Sequence, residues 1–464
     1  MNTSIADIVI RGGNLVNSHG IDSMDLYIKD GLIDAIEPVG TARACRREID
    51  AIGQFVLPGF IDAHLHPVYA DKMDTLSRAA ASEGITTLIP YIGAVKAWGQ
   101  SKGLLETIDE FIETSESSSI VDFSIHCTLL QDDIKDISRS IPLLIERGIV
   151  SFKAFMAYSK RGMMLEDPEL IRIMELIGQY KGILAAHAEN GVIIDYLEAY
   201  YQSQGLDTPE YIAKSHPNLS EAEAIFRLLT LGATTSCPIY IPHISCAESI
   251  EVVKMFKRWG QPSFYTETCP HYLTLTDDIF NKMGTIAKMS PPVRKQKDID
   301  ILWKAVGDGV IDVIASDAAG HMQASNAPFR EKVFSAPNGI PGTESLIKVI
   351  YEEGVNQQKT SLPVMVQQMC ENPSRIFGLY PQKGVLKVGS DADLVIINPE
   401  TPYTIPPKNP HLNVDYSMYG GRKGTGIVQT TILRGDIIMN KAELTETGNT
   451  GRFVPAQKIN TSNR

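Results

Sequence analysis

The sequence predicts an α/β protein in which a (β/α)8 TIM-like barrel carries a small β-sandwich domain built from both chain ends. Between residues 56 and 370, eight short β-rich runs alternate with stretches of helical spacing, which is the count and length expected of such a barrel. On either side of this region the chain shows alternating strands with glycine-containing turns, a pattern typical of antiparallel β structure. A doubly wound sheet is the main alternative, but no glycine-rich phosphate loop follows the first strand.

The two chain ends supply the smaller domain. Residues 1–55 contain "DIVIRGGNLVN" and "MDLYIKDGLIDAI", in which the Gly-Gly and Asp-Gly pairs indicate hairpins. Residues 371–442 return to β character in "TTILRGDIIMN". We expect both segments to form one sandwich beside the barrel of residues 56–370. Residues 443–464 are then left as a C-terminal arm that is too polar to form a core of its own.

Five of the eight predicted barrel strands carry chemically active side chains near their ends. In chain order the strands are "GFIDAHLH", "TTLIPYI", "VDFSIHCTL", "IVSFKAFM", "ILAAHAE", "PIYIPHIS", "SFYTETCP" and "IDVIASDA". Active sites of such barrels gather at the carboxyl ends of the strands. The side chains found there are His64 and His66 on the first strand, Lys153 on the fourth, His187 on the fifth, His243 on the sixth and Asp317 on the eighth.

This set of side chains predicts a metal site. Side chains at positions i and i+2 of a strand face the same side, so His64 and His66 converge on one point. A single strand-end histidine is more often structural than a ligand. Four of the ten histidines lie near the ends of three separate strands, and such a coincidence is not explained by independent structural roles.

Composition and charge narrow the range of possible functions and the cellular compartment in which the protein is expected. The formal net charge of −12 argues against a nucleic-acid partner. The N-terminus has no basic leader and no apolar run approaches the roughly 20 residues of a membrane helix. The six cysteines form no C-x-x-C pair. We therefore expect a cytoplasmic protein with reduced thiols and no membrane partner, in which nitrogen and oxygen atoms hold any metal ion.

Lys153 is unusual within this set, because an ammonium group cannot ligate a cation. One interpretation is a strand-end lysine that forms a salt bridge. The other is a lysine that has reacted with carbon dioxide. The resulting carbamate is anionic and has two oxygens that can bridge two metal ions.

Motifs distributed over nearly the whole chain are specific in combination. They include "FKAFMAYS", "HAENG", "CPHYL", "KMSPPVR", "NGIPGTES" and "DYSMYGGRKGTGIV". In these motifs the chain resembles the hydantoinase and dihydropyrimidinase family of cyclic amidohydrolases. The resemblance implies hydrolysis of the amide bond of a cyclic ureide or imide, of the hydantoin or dihydropyrimidine type, by a hydroxide that bridges two metal ions.

The resemblance also implies the ligands and the substrate contacts. One zinc ion would be bound by His64, His66, N6-carboxylated Lys153 and Asp317, and a second by the same carbamate, His187 and His243. Asp317 would also move the proton to the leaving nitrogen, and the Tyr158 hydroxyl would stabilise the oxyanion. Backbone atoms of Ser290 and Asn338 would contact the ring amides. Family members are typically tetramers, so we expect a homotetramer or a homodimer whose C-terminal arms reach across subunits.

Two departures from the family pattern bear on which substrate the protein binds. Ala318 follows Asp317 where hydantoinases usually have histidine, and His321 is the candidate substitute. Dihydroorotases carry an arginine two residues after the second histidine, but Val68 occupies that position here. Arg161 and Arg330 are the loop arginines nearest to the site in sequence, and a solvated role is the more common one for such residues.

Other functions remain open at this point. Allantoinase is the main alternative within enzymes, and dihydroorotase is a weaker one. A catalytically silent scaffold like the dihydropyrimidinase-related proteins is the alternative outside enzymes. Metal content separates the scaffold from the enzymes.

Overall fold

Two sheets of nine strands each organise the computed structural model, which describes residues 5–260, 262–445 and 448–459. In chain order the strands are β1 (Ala6–Asn17), β2 (Gly20–Lys29), β3 (Leu32–Pro38), β4 (Cys45–Asp50), β5 (Phe55–Pro58), β6 (Phe60–Leu65), β7 (Ile85–Ile92), β8 (Asp122–Phe123), β9 (His126–Thr128), β10 (Ser151–Phe155), β11 (Ile183–His187), β12 (Ile239–Ile241), β13 (Phe264–Thr268), β14 (Val313–Ile314), β15 (Leu394–Thr404), β16 (Lys423–Leu433), β17 (Asp436–Asn440) and β18 (Glu443–Leu444).

Helices cover the outside of the sheet formed by the middle of the chain. They are α1 (Met73–Ser82), α2 (Leu104–Glu116), α3 (Ile137–Glu146), α4 (Asp167–Tyr180), α5 (Gly191–Ser203), α6 (Ile212–Ser215), α7 (Asn218–Thr235), α8 (Ala247–Trp259), α9 (Pro270–Thr274), α10 (Asp278–Met283), α11 (Gln296–Gly307), α12 (Gln323–Asn326), α13 (Leu346–Ile350), α14 (Leu362–Val366) and α15 (Asn372–Ile376). In the described part of the chain, no helix is long and apolar enough to cross a membrane.

The predicted barrel is confirmed. Its strands run parallel in the order β6, β7, β9, β10, β11, β12, β13 and β14, and β8 pairs with β7 beside β9. A parallel bridge between Leu65 and Ala318 joins the last segment to the first, and the His66 N–H donates to the Ala318 carbonyl at 2.8 Å. These strands are buried on both faces, which explains their nearly continuous apolar sequence. The closed barrel places the carboxyl ends of all its strands on one rim.

The second sheet is built from both chain ends, as predicted. Its strand order is β18, β17, β16, β15, β5, β1, β2 and β3. Strand β1 pairs with β4 over Ala6–Arg11 and with β5 over Asn14–Leu15. The pairing changes at Gly12, whose φ of 62° lies in the left-handed region that glycine adopts without strain. The described strand Phe55–Pro58 belongs to this sheet, and the division at residue 55 stays a prediction.

The C-terminal segment packs along the barrel of its own chain. Val454 N donates to the Phe123 carbonyl, Ala456 N to that of Gly148 and Ile459 N to that of Lys181, at 2.7, 2.9 and 2.8 Å. Val454 and Ile459 are buried against the interior of the same barrel, at the amino ends of its strands. Residues 448–459 thus pack on their own barrel through these apolar side chains, and the expected reach of the C-terminal arms across subunits stays a prediction. Residues 446–447 and 460–464 of the predicted arm lie outside the described residues.

Candidate active site

The six residues predicted as metal ligands surround one cavity at the carboxyl rim of the barrel. His64 and Lys153 lie within β6 and β10, and His187 ends β11. His243 and Asp317 follow the ends of β12 and β14. The cavity has a volume of about 630 Å3 including its open mouth. His66, Tyr158, Ser290 and Asn338 also line it, so the structure brings all nine predicted site residues together.

One half of the cavity floor is formed by two histidines and an aspartate. Asp317 Oδ1 lies 3.0 Å from His64 Nε2 and 3.5 Å from His66 Nε2. One ligand atom from each of the three side chains lies within 4.8 Å of the others, close enough to share a metal ion. His66 Nδ1 is buried and has no hydrogen-bond partner among the described residues.

The other half is a pair of facing imidazoles. His187 Nδ1 lies 3.1 Å from His243 Nε2. Glu189 Oε2 contacts the other ring nitrogen of His187, Nε2, at 2.8 Å. This contact fixes the ring so that Nδ1 points into the cavity, as the second hydrogen bond of a metal-binding histidine commonly does. Both histidines are buried, and burial lowers the pKa of each ring below its ordinary value.

Lys153 lines the same cavity. Its side chain is 1% exposed, and no hydrogen bond or ion pair reaches its ammonium group from the described residues. The nearest aromatic ring is that of Tyr91, whose centre is 4.6 Å from Nζ. Burial lowers the pKa of Lys153 to about 8. An ammonium group with so little exposure and no protein acceptor is costly, so a further partner or a change of chemical form would stabilise this lysine.

The family model described as "Amidohydrolase family" matches residues 55–438. The chain belongs to the amidohydrolase family. The D-hydantoinase of Ralstonia pickettii is 36% identical over 470 residues, which cover 97% of this chain and 99% of that protein. The L-hydantoinase of Paenarthrobacter aurescens is 31% identical, with 98% and 99% covered. The solved structure of dihydropyrimidinase from Brevibacillus agri NCHU1002 has a TM-score of 0.91 and 28% identity, with 97% and 99% covered.

The donor atoms of this amidohydrolase fit a metal centre. Proteins of the family generally depend on two metal ions, and the chain offers candidate groups for them. The donors are imidazole nitrogens and a carboxylate oxygen, which suit zinc and similar divalent ions. The unpartnered His66 Nδ1 and the facing His187 and His243 rings show that these side chains do not satisfy one another fully.

Strained backbone occurs at three site residues of the amidohydrolase. Tyr158, His243 and Asp317 have φ values of 68°, 46° and 50°. Non-glycine residues in this left-handed region cost of the order of 1–3 kcal/mol each and cluster at functional sites. At His243 the strain is held by Glu267, whose Oε1 accepts from the His243 N–H at 3.1 Å.

Sequence reasoning missed the carboxylates that orient the ligands. Glu267 accepts from His64 Nδ1 and from the Tyr240 hydroxyl, both at 2.7 Å. Glu189 holds His216 as well as His187, at 2.8 Å from each. A signal for both was present, because Glu267 lies on a predicted strand and Glu189 follows His187 by two residues. A buried acidic residue needs a partner, and here the partners include His64 and His187, which are predicted as ligands.

The substrate-side residues of the amidohydrolase form the upper wall of the cavity. Asn338 Nδ2 donates to Ser290 Oγ at 3.2 Å. His321 Nε2 lies 3.0 Å from the Asn338 carbonyl oxygen, so it donates to that oxygen. His321 therefore acts on a predicted substrate-binding residue and does not line the cavity among the described residues. Ala318 is buried, and its backbone pairs with Leu65 and Ile340.

Two aromatic residues at the cavity wall were also missed. Trp98 and Tyr69 line the cavity, and the Trp98 indole N–H donates to the Tyr69 hydroxyl at 2.9 Å. The Tyr69 ring lies 4.2 Å from the ring of His321, centre to centre. Both residues come from loops whose sequence carries no periodic pattern, so nothing in the sequence placed them at the site. Arg161 lines the cavity, whereas Arg330 is not among the described lining residues.

Proposed function

We propose that this amidohydrolase hydrolyses the amide bond of a cyclic ureide or imide of the hydantoin or dihydropyrimidine type. The observation that carries the proposal is the convergence of six donor residues and three substrate-contact residues on one cavity. Relatives named hydantoinases, at 31% and 36% identity over nearly the whole chain, support the same reaction.

Two divalent ions, zinc in the native enzyme, are proposed for the cavity floor. One ion would be held by His64, His66 and Asp317, the other by His187 and His243, with one oxygen of N6-carboxylated Lys153 on each. Support for the carbamate comes from the burial of Lys153 and from the lack of an acceptor for its ammonium group among the described residues. When bound, such ions polarise the scissile carbonyl and make water acidic enough to attack it near neutral pH.

The side chains of the protein supply the proton transfer. Asp317 accepts the proton of the attacking water and delivers it to the ring nitrogen, which must be protonated to leave. Its carboxylate is held beside His64 and His66, and its left-handed backbone fixes the direction from which it approaches the substrate. Asp317 is thus both a ligand and the proposed general acid and base.

Tyr158 and the upper wall hold the substrate. Burial raises the pKa of Tyr158 above its ordinary value, so its hydroxyl remains a donor for the developing oxyanion. Backbone atoms of Ser290 and Asn338 offer a donor and an acceptor to the alternating N–H and C=O groups of the ring. His321 fixes the Asn338 carbonyl through its hydrogen bond.

A homotetramer or homodimer in the cytoplasm is proposed for the assembly. On α5, Val192 and Tyr196 are 68% and 69% exposed, and the neighbouring Leu219 is 69% exposed. A second copy of the chain would cover these apolar side chains. All six cysteines are free thiols in the described chain, which supports a reducing compartment.

The proposal is tested with purified protein and a panel of hydantoin, dihydrouracil, allantoin and dihydroorotate. We expect hydantoin or dihydrouracil to give the highest kcat/KM. Dihydroorotate should be poor, because a carboxylate bound directly to the ring would lie near the floor without the arginine that dihydroorotases place there. A preference for allantoin or dihydroorotate would contradict the substrate assignment. A chain without metal and without activity on all four would contradict the enzyme assignment.

A further inference from the structure

One charged side chain in the cavity has no part in the proposed reaction. Arg161 ends the short 3-10 turn Ser159–Arg161, which begins directly after Tyr158 in the loop following β10. Its side chain lines the cavity and is solvent-exposed. Its guanidinium carbon lies 5.4 Å from the centre of the Tyr158 ring. Among the described residues, no carboxylate forms an ion pair with Arg161, which leaves its hydrogen-bond donors available to a ligand.

The neighbouring residues explain why Arg161 faces the cavity. Lys160 Nζ lies 2.7 Å from Glu198 Oε2 and 3.6 Å from Asp195 Oδ1, both on α5. The Ser159 hydroxyl also hydrogen-bonds to Asp195. These contacts anchor the outer side of the turn to α5. Arg161 is on the opposite side of the turn, against the ring of a proposed catalytic tyrosine.

The charge of Arg161 acts on side chains from three loops at the mouth of the cavity. Burial raises the pKa of Tyr69 and of Tyr158, and the positive charge of Arg161 opposes both shifts. Burial lowers the pKa of His321, and Arg161 lowers it further. Arg161 lines the same cavity as Tyr69 and Tyr158. Phe155 and Met163 give the cavity wall near this opening an apolar surface.

We propose that Arg161 determines specificity by binding a carboxylate at the end of a short apolar substituent on the substrate ring. This inference rests on the proposed function and narrows its substrate class to cyclic ureides with an acidic side chain. An arginine held against an aromatic ring is pre-organised, and it can bind a carboxylate through two parallel hydrogen bonds. The methylene groups of the substituent would contact the apolar wall while the ring occupies the floor. A carboxylate attached directly to the ring, as in dihydroorotate, would not reach the mouth.

The experiment compares two matched substrates, 5-(2-carboxyethyl)hydantoin and 5-(2-carbamoylethyl)hydantoin. They have nearly the same shape and differ in charge. We expect the wild-type protein to favour the carboxylate by about tenfold in kcat/KM, the usual size of one charge-assisted contact. Arg161→Met should bring the ratio of the two kcat/KM values near one, mainly through KM for the carboxylate. Arg161→Lys should give an intermediate ratio, because the charge remains but the two-bond geometry is lost.

Lys160→Met is the matched control, since it removes a neighbouring cation that is already paired on α5. We expect this variant to keep the wild-type ratio. A wild-type ratio near one, or a preference for the carboxylate that survives Arg161→Met, would overturn the assignment of Arg161 while hydrolysis itself persists. A protein that hydrolyses neither compound, nor hydantoin nor dihydrouracil, would overturn the proposed function and this inference with it.

Discussion

Two buried lysines of this protein have opposite surroundings. Lys153 and Lys383 are each 1% exposed. Lys383 Nζ lies 2.5 Å from Asp122, 2.9 Å from Asp391 and 2.7 Å from Asp393. Lys153 has no such partner among the described residues, and it faces the ring of Tyr91. Burial alone therefore does not distinguish a structural lysine from a functional one, whereas the partners of the ammonium group do.

Two clusters of potential metal ligands differ in whether other side chains already form contacts with their ligand atoms. Asp122, Asp391 and Asp393 lie close enough together to hold a metal ion, as do His64, His66 and Asp317. In the first cluster Lys383, Arg434 and Arg452 form ion pairs with the carboxylates, so the charges are already balanced. In the second, His66 Nδ1 is unpartnered among the described residues. We infer that the first cluster, which we call the Lys383 cluster, stabilises the fold. The second cluster, of His64, His66 and Asp317, is inferred to bind metal.

The pKa values of the two lysines follow the same contrast. Burial lowers the pKa of Lys153 to about 8. Burial also acts to lower the pKa of Lys383, but the carboxylates of Asp393, Asp122 and Asp391 raise it above the ordinary value. Asp122 lies on a barrel strand, whereas Lys383 and Asp393 precede the β15 strand of the second sheet. The Lys383 cluster thus joins the two sheets.

The largest expected effect is on activity. Lys153→Ala should lower kcat/KM by about 10^3-fold or more, because the proposed ligand that joins both halves of the site is lost. Acetate or propionate should partly restore the activity, since a short carboxylic acid offers the two oxygens that the carbamate would supply. Steady-state kinetics with and without the acid provide the measurement. Full activity of Lys153→Ala without an additive would contradict the functional role that is proposed for Lys153 and not for Lys383.

Asp317→Asn should separate proton transfer from metal binding. The amide is close in shape to the carboxylate but accepts no proton, so we expect kcat to fall by about 10^2 to 10^4-fold. Most of the metal should remain bound, because the imidazole ligands are unchanged. Metal analysis and kinetics on the same preparation test both expectations. A variant with near wild-type kcat would exclude Asp317 as the proton carrier.

Lys383→Met should lower the free energy of unfolding by about 3–5 kcal/mol, because three buried carboxylates lose their shared partner. Lys153→Met is the matched control, and in metal-free protein it should cost far less, because its ammonium group has no ion pair to lose. Denaturant unfolding of both variants is the measurement. Equal destabilisation by the two substitutions would contradict the inference that Lys383, and not Lys153, stabilises the fold through ion pairs.

The pH dependence of stability sharpens the same comparison. The pKa of Lys383 is raised above its ordinary value of 10.5 in the folded protein. Its stabilising contribution is therefore fully present below that value and is lost as the pH rises through the higher folded pKa. We expect wild-type stability to fall with alkaline pH more steeply than that of Lys383→Met. Parallel pH profiles would contradict this role.

A smaller effect is expected from removal of the C-terminal segment. Truncation after Glu443 exposes the barrel surface that Val454 and Ile459 cover, and removes Arg452 from the Lys383 cluster. We expect a loss of about 2–4 kcal/mol in stability, the usual cost of exposing two apolar side chains. The kcat of the folded enzyme should change little, because this segment contacts the amino ends of the strands and the cavity is at the carboxyl ends. Unchanged stability with a smaller oligomer would instead show that the arm acts mainly between subunits.

The fold and the positions of the candidate ligands could be predicted, because each depends on local sequence pattern. Each barrel strand is recognisable as a separate apolar run, and the candidate ligands lie near strand ends: His64, His66, Lys153, His187, His243 and Asp317. Each such residue is placed at the rim by its own strand. No knowledge of the other strands is needed to locate it.

The supporting contacts could not be predicted in this way. The Lys383 cluster joins Asp122, Asp393 and Arg434, which are far apart in sequence, and Glu267 reaches His64 across the barrel. The path of the C-terminal segment depends on the shape of the barrel floor, which appears only after the barrel has closed. The proposed addition of carbon dioxide to Lys153 would leave no trace in the sequence.

The most direct test is carbon-13 NMR of metal-loaded protein prepared with carbon-13-labelled bicarbonate. We predict one carbamate signal in the wild-type protein. The signal should disappear in Lys153→Ala and persist in Lys383→Met. Active wild-type enzyme with no carbamate signal, or a signal that survives in Lys153→Ala, would contradict the assignment of Lys153 as the carboxylated lysine between the two halves of the site.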